Sequence, residues 1–259
     1  MKVDRSIKHE SLGVLDAVVT AGGRLSPSEA RAFGTDVKAL VRVGDRTMLA
    51  VVVDALRKTP GTGRIVVVGP ERARASTPDV DQWIDEFPTG EENLIAALHA
   101  GTTDRIVFSA SDLPFVTPSS YSTFIASVGA DVDAGYPVYR RAEFLKAYPG
   151  GRSKFARLAD GQWTGGSAFV LNRAPFLRNL DALKRAFGAR KSLFALASLL
   201  GPALLFKFVF RQLRVTDVER RASAVLGANV KAITGADPAL GMDCDDFGDL
   251  TYAHAGGAH

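Results

Sequence analysis

GVLDAVVTAGGRLSPSEARAFGTDVKAL, Gly13–Leu40, is the stretch on which the fold turns. Its opening run is apolar and β-branched and stops at adjacent glycines, which reads as a buried strand, Gly13–Ala21, leaving a sheet abruptly. The next segment is polar, rich in Ser and Arg, and reads as a long irregular loop that arrives at Lys38 just before another apolar patch. Adjacent glycines let backbone N–H groups approach an anion closely, and a lysine adds a compact positive charge. The stretch therefore fits a phosphate-holding loop, with a plain surface turn as the alternative. Neither GxxxxGK[ST] nor GxGxxG is present, which excludes the P-loop and the dinucleotide fingerprint.

Working outward, apolar patterns alternate between strand-like and helix-like. TMLAVVVDALRK (Thr47–Lys58) has helical spacing and a basic end before Pro60, and RIVVVG (Arg64–Gly69) reads as a second strand. EENLIAALHAG (Glu91–Gly101) is a helix with an acidic first turn and a closing glycine, RIVFSASDLPFV (Arg105–Val116) a third strand, and PSSYSTFIASV (Pro118–Val128) a helix. This β-α-β-α-β-α succession over 13–130 predicts an α/β fold with a mostly parallel, Rossmann-like sheet flanked by helices. Beyond it, WTGGSAFVLN (Trp163–Asn172) reads as one strand and PFLRNLDALKRAFG (Pro175–Gly188) as one helix. VTDVERRASAVLG (Val215–Gly227) reads as a helix with Thr216 as N-cap and Glu219 completing a capping box, and VKAIT (Val230–Thr234) as a short strand. The expected organisation is a polar extension, 1–12, then a single domain over 13–253. Its halves are 13–130 and 131–253, the second carrying a helical insertion at 173–226.

Composition narrows the function class. The chain has 259 residues, 46% hydrophobic and 23% charged, as expected of a soluble protein with a sizeable core. Its net charge of +4 is scattered, with a mild concentration from Arg173 to Arg221. That suits an anionic small ligand and is too mild to indicate nucleic acid. One cysteine, Cys244, leaves no disulfide framework and no thiolate metal cluster. MKVDRSIKHESLG lacks the apolar core of a signal peptide, so the cytoplasm is the expected compartment. SLFALASLLGPALLFKFVF (Ser192–Phe210) approaches bilayer-spanning length, but Gly201-Pro202 and Lys207 interrupt it. It reads as two short buried helices hinged at the proline, with a membrane or lipid contact as the alternative. Nothing in the sequence bears on oligomeric state.

Three sites fall just beyond the carboxyl ends of strands, where open parallel sheets place ligands. Besides the opening loop there is Asp112 in SASDLPF, a carboxylate able to reach the ligand crevice and hold Mg²⁺, or to serve as an Asp-Leu-Pro turn. The third is Asp243, Asp245 and Asp246, with Asp249 beyond, in MDCDDFGDL. Alternation puts Asp243 and Asp245 on one face of an extended segment, so one of them can serve as a second metal ligand. The cluster also suits an acidic cap for a final helix. His9, His99, His254 and His259 have no metal or triad spacing, and no GxSxG elbow is present.

Taken in order, strand–AGG–loop–Lys, VGDRTML, SASDLPF and DCDDFGDL resemble the nucleotidyltransferases of glycosyltransferase-A-type, nucleotide-diphospho-sugar transferase fold, closest to the molybdenum-cofactor guanylyltransferase-like branch. In that family an A-G-G-x-x-x-R…P-K loop wraps the triphosphate. The resemblance implies that Ala21, Gly22 and Gly23 contact base and phosphates, that Lys38 neutralises the phosphates, and that Arg24 or Arg31 is the loop arginine. Here the loop is longer and Val37 replaces the usual proline. Gly90 and Asn93, in FPTGEENLIAAL, stand at the nucleotide-base contact segment. Asp112 and Asp245 match the metal positions for Mg²⁺ (or Mn²⁺), and Gly166 and Ser167, in TGGSAF, face the acceptor.

The implied reaction moves a nucleoside monophosphate from a nucleoside triphosphate (GTP in the guanylyltransferase branch) to a small phosphorylated metabolite or cofactor precursor, with release of pyrophosphate. Alternatives are a nucleotide-sugar-dependent glycosyltransferase of the same fold and a nucleotide-binding or membrane-associated protein without turnover. The lone aspartate in SASDLPF, with the D-x-D only near the C-terminus, favours nucleotidyl transfer over glycosyl transfer.

Overall fold

A computed structural model describes residues 14–77, 79–189 and 193–255. The extension 1–12 and His9 and His259 lie outside the described residues. β1 (Leu15–Thr20) runs through the middle of the sheet, and its alternation divides the core. Ala17 and Val19 point to one face, packed with Leu49, Val52 and Phe124; Val18 points to the other, with Leu94, Leu98 and Phe108. Asp16 is buried in the same strand. Its carboxylate accepts hydrogen bonds from the backbone N–H of Thr102 (2.6 Å), Thr103 (3.3 Å) and Arg64 (3.3 Å) and from the Thr102 hydroxyl (2.8 Å).

The loop after β1 is not irregular throughout. Its middle folds as α1 (Pro27–Phe33), with a Ser26–Glu29 capping box, Pro27 in the first turn and a left-handed Gly34 (φ 70°) at the C-cap. A hairpin, β2 (Arg42–Val43) and β3 (Arg46–Thr47), then leads into α2 (Met48–Arg57), whose Ala50 N–H is capped by Thr47. β4 (Thr62–Gly69), β5 (Gln82–Asp85), α3 (Gly90–Ala100), β6 (Arg105–Ala110) and α4 (Pro118–Ser127) complete the first half. The strand read as Arg105–Val116 thus ends at Ala110, and Ser111 to Val116 leave the sheet while staying largely buried.

The second half contains β7 (Ala134–Arg140), α5 (Arg141–Ala147), β8 (Ala156–Leu158), β9 (Gly161–Gly165) and β10 (Ala168–Asn172). Then come α6 (Arg173–Arg178), α7 (Leu180–Ala189), α8 (Leu193–Val209), α9 (Val215–Leu226), β11 (Val230–Ile233) and α10 (Phe247–His254). The sheet order is β5-β4-β1-β6-β10-β7-β9-β8, with β11 beside β7. β5, β4, β1 and β6 are parallel, and β10 enters antiparallel between β6 and β7.

Four expectations for this half need correction. The single strand Trp163–Asn172 is two strands that pair with opposite edges of β7, because the chain jumps across β7 at Gly166-Ser167. The single helix Pro175–Gly188 is two, broken at Asn179. The cap of α9 is at Arg214, not Thr216, and Asp217 rather than Glu219 accepts the cap's backbone N–H (3.1 Å), since the helix begins at Val215, two residues earlier than Thr216 as cap allows. α8 does break at Gly201-Pro202, Gly201 having φ 77°, but its second part is exposed rather than buried. Among the described residues no helix is long and apolar enough to cross a membrane.

Candidate active site

The carboxyl ends of β1, β4, β5 and β6 open on one edge of the sheet, and the turns after them build the site. β1 hands over through Ala21, fully buried, whose N–H donates to Val68 O (2.8 Å). The ends of the long loop then zip together: Lys38 N–H donates to Gly23 O (3.0 Å) and Leu25 N–H to Asp36 O (2.9 Å). This lays the Lys38 side chain along Gly23, where a Cβ would meet Lys38 Cε at 3.3 Å. Val37, standing where the family's proline is expected, is fully buried and pairs with Arg24 in a short β-bridge.

The Lys38 ammonium ends between two carboxylates, 2.7 Å from Asp112 Oδ2 and 3.2 Å from Asp245 Oδ1. Burial works to lower the Lys38 pKa, but Asp112 and Asp245 together outweigh it and hold the group charged well above the ordinary lysine range. Asp112 stands just past β6, where its carbonyl accepts the Cys244 N–H (3.2 Å) and ties the C-terminal segment across the sheet edge. Its Oδ1 is buried, without a hydrogen-bond partner among the described residues.

The D-x-D that is remote in sequence is therefore adjacent to Asp112 in space. Asp243 faces inward and accepts the Ser167 hydroxyl (3.0 Å). Burial first, then Asp112 and Asp245, push its carboxyl up to about 7, partly offset by Ser167. Asp245 is more exposed and reaches Lys38. Asp246 caps α10, accepting the N–H of Gly248 (2.8 Å) and Asp249 (3.0 Å), so the cap reading of the acidic cluster holds at that residue.

Gly22 lies under the end of β5. A Cβ there would stand 2.8 Å from Glu86 Oε2 and 3.3 Å from Asn93 Nδ2. Arg24 donates to Gly22 O (3.0 Å) and pairs with Glu86, whereas Arg31 lies exposed in the last turn of α1. Gly90 begins α3 behind the Thr89–Glu92 capping box. Asn93 is nearly buried; its Oδ1 accepts the Phe87 N–H (2.7 Å) and its Nδ2 donates to Phe87 O (3.4 Å). It thus positions the turn that carries Glu86. Gly166 is buried, and a Cβ would clash with Leu240 O at 2.7 Å. Its neighbour Ser167 is the one whose side chain reaches the carboxylates.

Sequence reasoning missed Glu86 and settled on Asp245 without Asp243. The signal for Glu86 was the short QWID ahead of it, with Trp83 and Ile84 its only apolar residues, too brief to read as a strand. Among the described residues no group of three or more His, Cys, Asp or Glu is arranged to hold a metal ion.

Residues 17–199 match the MobA-like NTP transferase domain, over more than half of the chain. The chain belongs to that family. The nucleotidyltransferase resemblance and the α/β fold with a mostly parallel sheet are both borne out, and nucleotidyl transfer is the general activity of this MobA-like NTP transferase domain. A hypothetical transferase from Thermus thermophilus superposes with TM-score 0.82 at 29% identity, covering 92% of this chain and 99% of that one. 2-C-methyl-D-erythritol 4-phosphate cytidylyltransferase, also from Thermus thermophilus, shares the fold, with TM-score 0.57 and 16% identity over 94% and 98%. So does CMP:2-keto-3-deoxy-manno-octonic acid synthetase complexed with CTP, with TM-score 0.56 and 12% identity over 94% and 97%. Comparison with the curated proteins gives no match.

Proposed function

We propose that this NTP transferase domain moves a nucleoside monophosphate from a nucleoside triphosphate to a small phosphorylated acceptor with release of pyrophosphate, in the presence of Mg²⁺ (or Mn²⁺). GTP is the donor by resemblance to the guanylyltransferase branch. The observation that carries the reading is the Lys38 ammonium held between Asp112 and Asp245 against the Gly22–Gly23 turn.

The donor set is all oxygen. Asp112 offers a buried, unpartnered Oδ1, and Asp245 lies across Lys38 from it. That suits Mg²⁺, which takes one or two carboxylates together with phosphate oxygens. Bound by Asp112 and Asp245, the ion would supply neutralisation of the phosphate charge. The protein's own part is alignment and charge. Lys38 exchanges a carboxylate for phosphate oxygens, and Gly22 and Gly23 let the chain approach them without side-chain interference. Arg24, beside Gly22, trades Glu86 for the same anion. An acceptor phosphate oxygen forms the new bond to the α-phosphorus while the bond to the bridging oxygen breaks and pyrophosphate departs. That acceptor is already anionic at neutral pH, so no general base is needed.

Pyrophosphate release, measured with each nucleoside triphosphate and a panel of sugar phosphates and phosphorylated cofactor precursors, tests the reading. Lys38→Ala and Asp112→Ala should each lose at least about 100-fold, as when a transition-state charge contact is removed. Full turnover in both variants overturns it.

A further inference from the structure

Among the described residues, the second part of α8 is apolar yet unburied. From Pro202 to Gln212 no residue is buried, although the segment is nearly all apolar. Leu205, Phe206, Phe208, Val209 and Phe210 are 38, 59, 43, 66 and 57% exposed. This is an ordered knob rather than a frayed end. Lys207 O accepts the N–H of Gln212 (2.7 Å), Lys207 Nζ pairs with Asp217 of α9 (3.0 Å), and Arg221 of α9 donates to Leu199 O (2.6 Å). The Phe206 and Phe210 rings pack 4.2 Å apart at its tip. A contiguous exposed apolar surface of this kind marks an interaction site.

The charge of the segment that carries it says which kind. Residues 173–226 contain eleven Lys and Arg against three Asp and Glu, a net +8, while the whole chain is +4 and the remainder therefore −4. Lys207 and Arg220 share the single carboxylate of Asp217. Among the described residues, Lys184, Arg185 and Arg211 form no ion pair. A second copy of this chain would bring two such lobes together with like charge, whereas a negatively charged bilayer complements both properties at once. Aromatic side chains enter the interface while Lys and Arg meet anionic headgroups. We infer that the tip of α8 with its basic surround docks this chain peripherally on an anionic lipid surface. The inference is independent of the proposed reaction, because none of these residues lines the site at Lys38.

The full-length chain is floated with vesicles of phosphatidylcholine alone and of phosphatidylcholine mixed with phosphatidylglycerol, at low and physiological salt. Wild type should float with the mixed vesicles, remain behind with the neutral ones, and bind less as salt rises. Phe206→Ser/Phe208→Ser/Phe210→Ser should lower the partition coefficient at least about tenfold, with an unchanged circular dichroism spectrum, since the three rings are exposed. Wild type left behind by the mixed vesicles overturns the inference, as does equal binding to neutral vesicles or a triple variant that floats like wild type. Light scattering that finds a wild-type dimer and a monomeric triple variant also overturns it, because the knob then serves a second copy.

Discussion

Lys38 is held between the carboxylates of Asp112 and Asp245. Replacing it with Met leaves Asp112, Asp243 and Asp245 facing one another without their cation, so Lys38→Met should cost about 2–4 kcal/mol of stability near neutral pH, measured by urea unfolding. Gly22→Ala makes a contrasting prediction. The new Cβ would press on Glu86 Oε2, the end of a side chain that can move, so the melting temperature should fall by no more than about 2–4 °C. Nucleotide-induced stabilisation should drop much further, and an unchanged nucleotide response would separate Gly22 from the site. Lys38, Asp112 and Asp245 were singled out in the sequence by motif order and the family resemblance, and the structure brings the three together. Glu86 was not, since its position depends on a four-residue edge strand. Asn93 was read as a base contact, whereas its side chain holds the Phe87 backbone, a role visible only in three dimensions.

At the scale of elements, β1 is fastened by Asp16. Burial works to raise its carboxyl pKa, and the hydrogen bonds from Thr102, Thr103 and Arg64 outweigh that and hold it below the ordinary 3.8. A depressed folded-state pKa gives stability that is complete above the ordinary value and lost as pH falls through the folded one. Asp16→Ala should therefore cost about 2–4 kcal/mol at pH 7, leaving the N–H groups of Thr102 and Thr103 without their acceptor. The gap to wild type should narrow below about pH 3.8; a gap that stays constant there contradicts the hydrogen-bond explanation. The parallel half was readable because each strand and helix carries its own period and cap. The antiparallel half was not, because β9 and β10 are separated by only two residues, Gly166 and Ser167, and their division depends on which edge of β7 each one meets. The helix inside the loop was signalled by Ser26-Pro27 and Glu29, a capping box concealed by an otherwise polar stretch.

For the whole molecule, the unequal division of charge matters more than its total. A helical lobe at +8 against −4 over the rest of the chain predicts binding to anionic surfaces that weakens with ionic strength, through the lobe and not through Lys38. The break at Gly201-Pro202 was legible from the sequence, whereas the exposure beyond it was not. Apolar content forecasts burial only where a partner element exists to cover it. The likeness to the hypothetical transferase from Thermus thermophilus extends over 92% of this chain.

Isothermal titration of the four nucleoside triphosphates with Mg²⁺ into wild type, Lys38→Met and Asp112→Asn probes the centre of the assignment directly. Wild type should bind at least one of them, and each variant should bind it at least about tenfold more weakly, the loss of one charge-assisted contact. Equal affinity in all three proteins, or no binding by wild type, would contradict the assignment of Lys38 and Asp112 to the triphosphate.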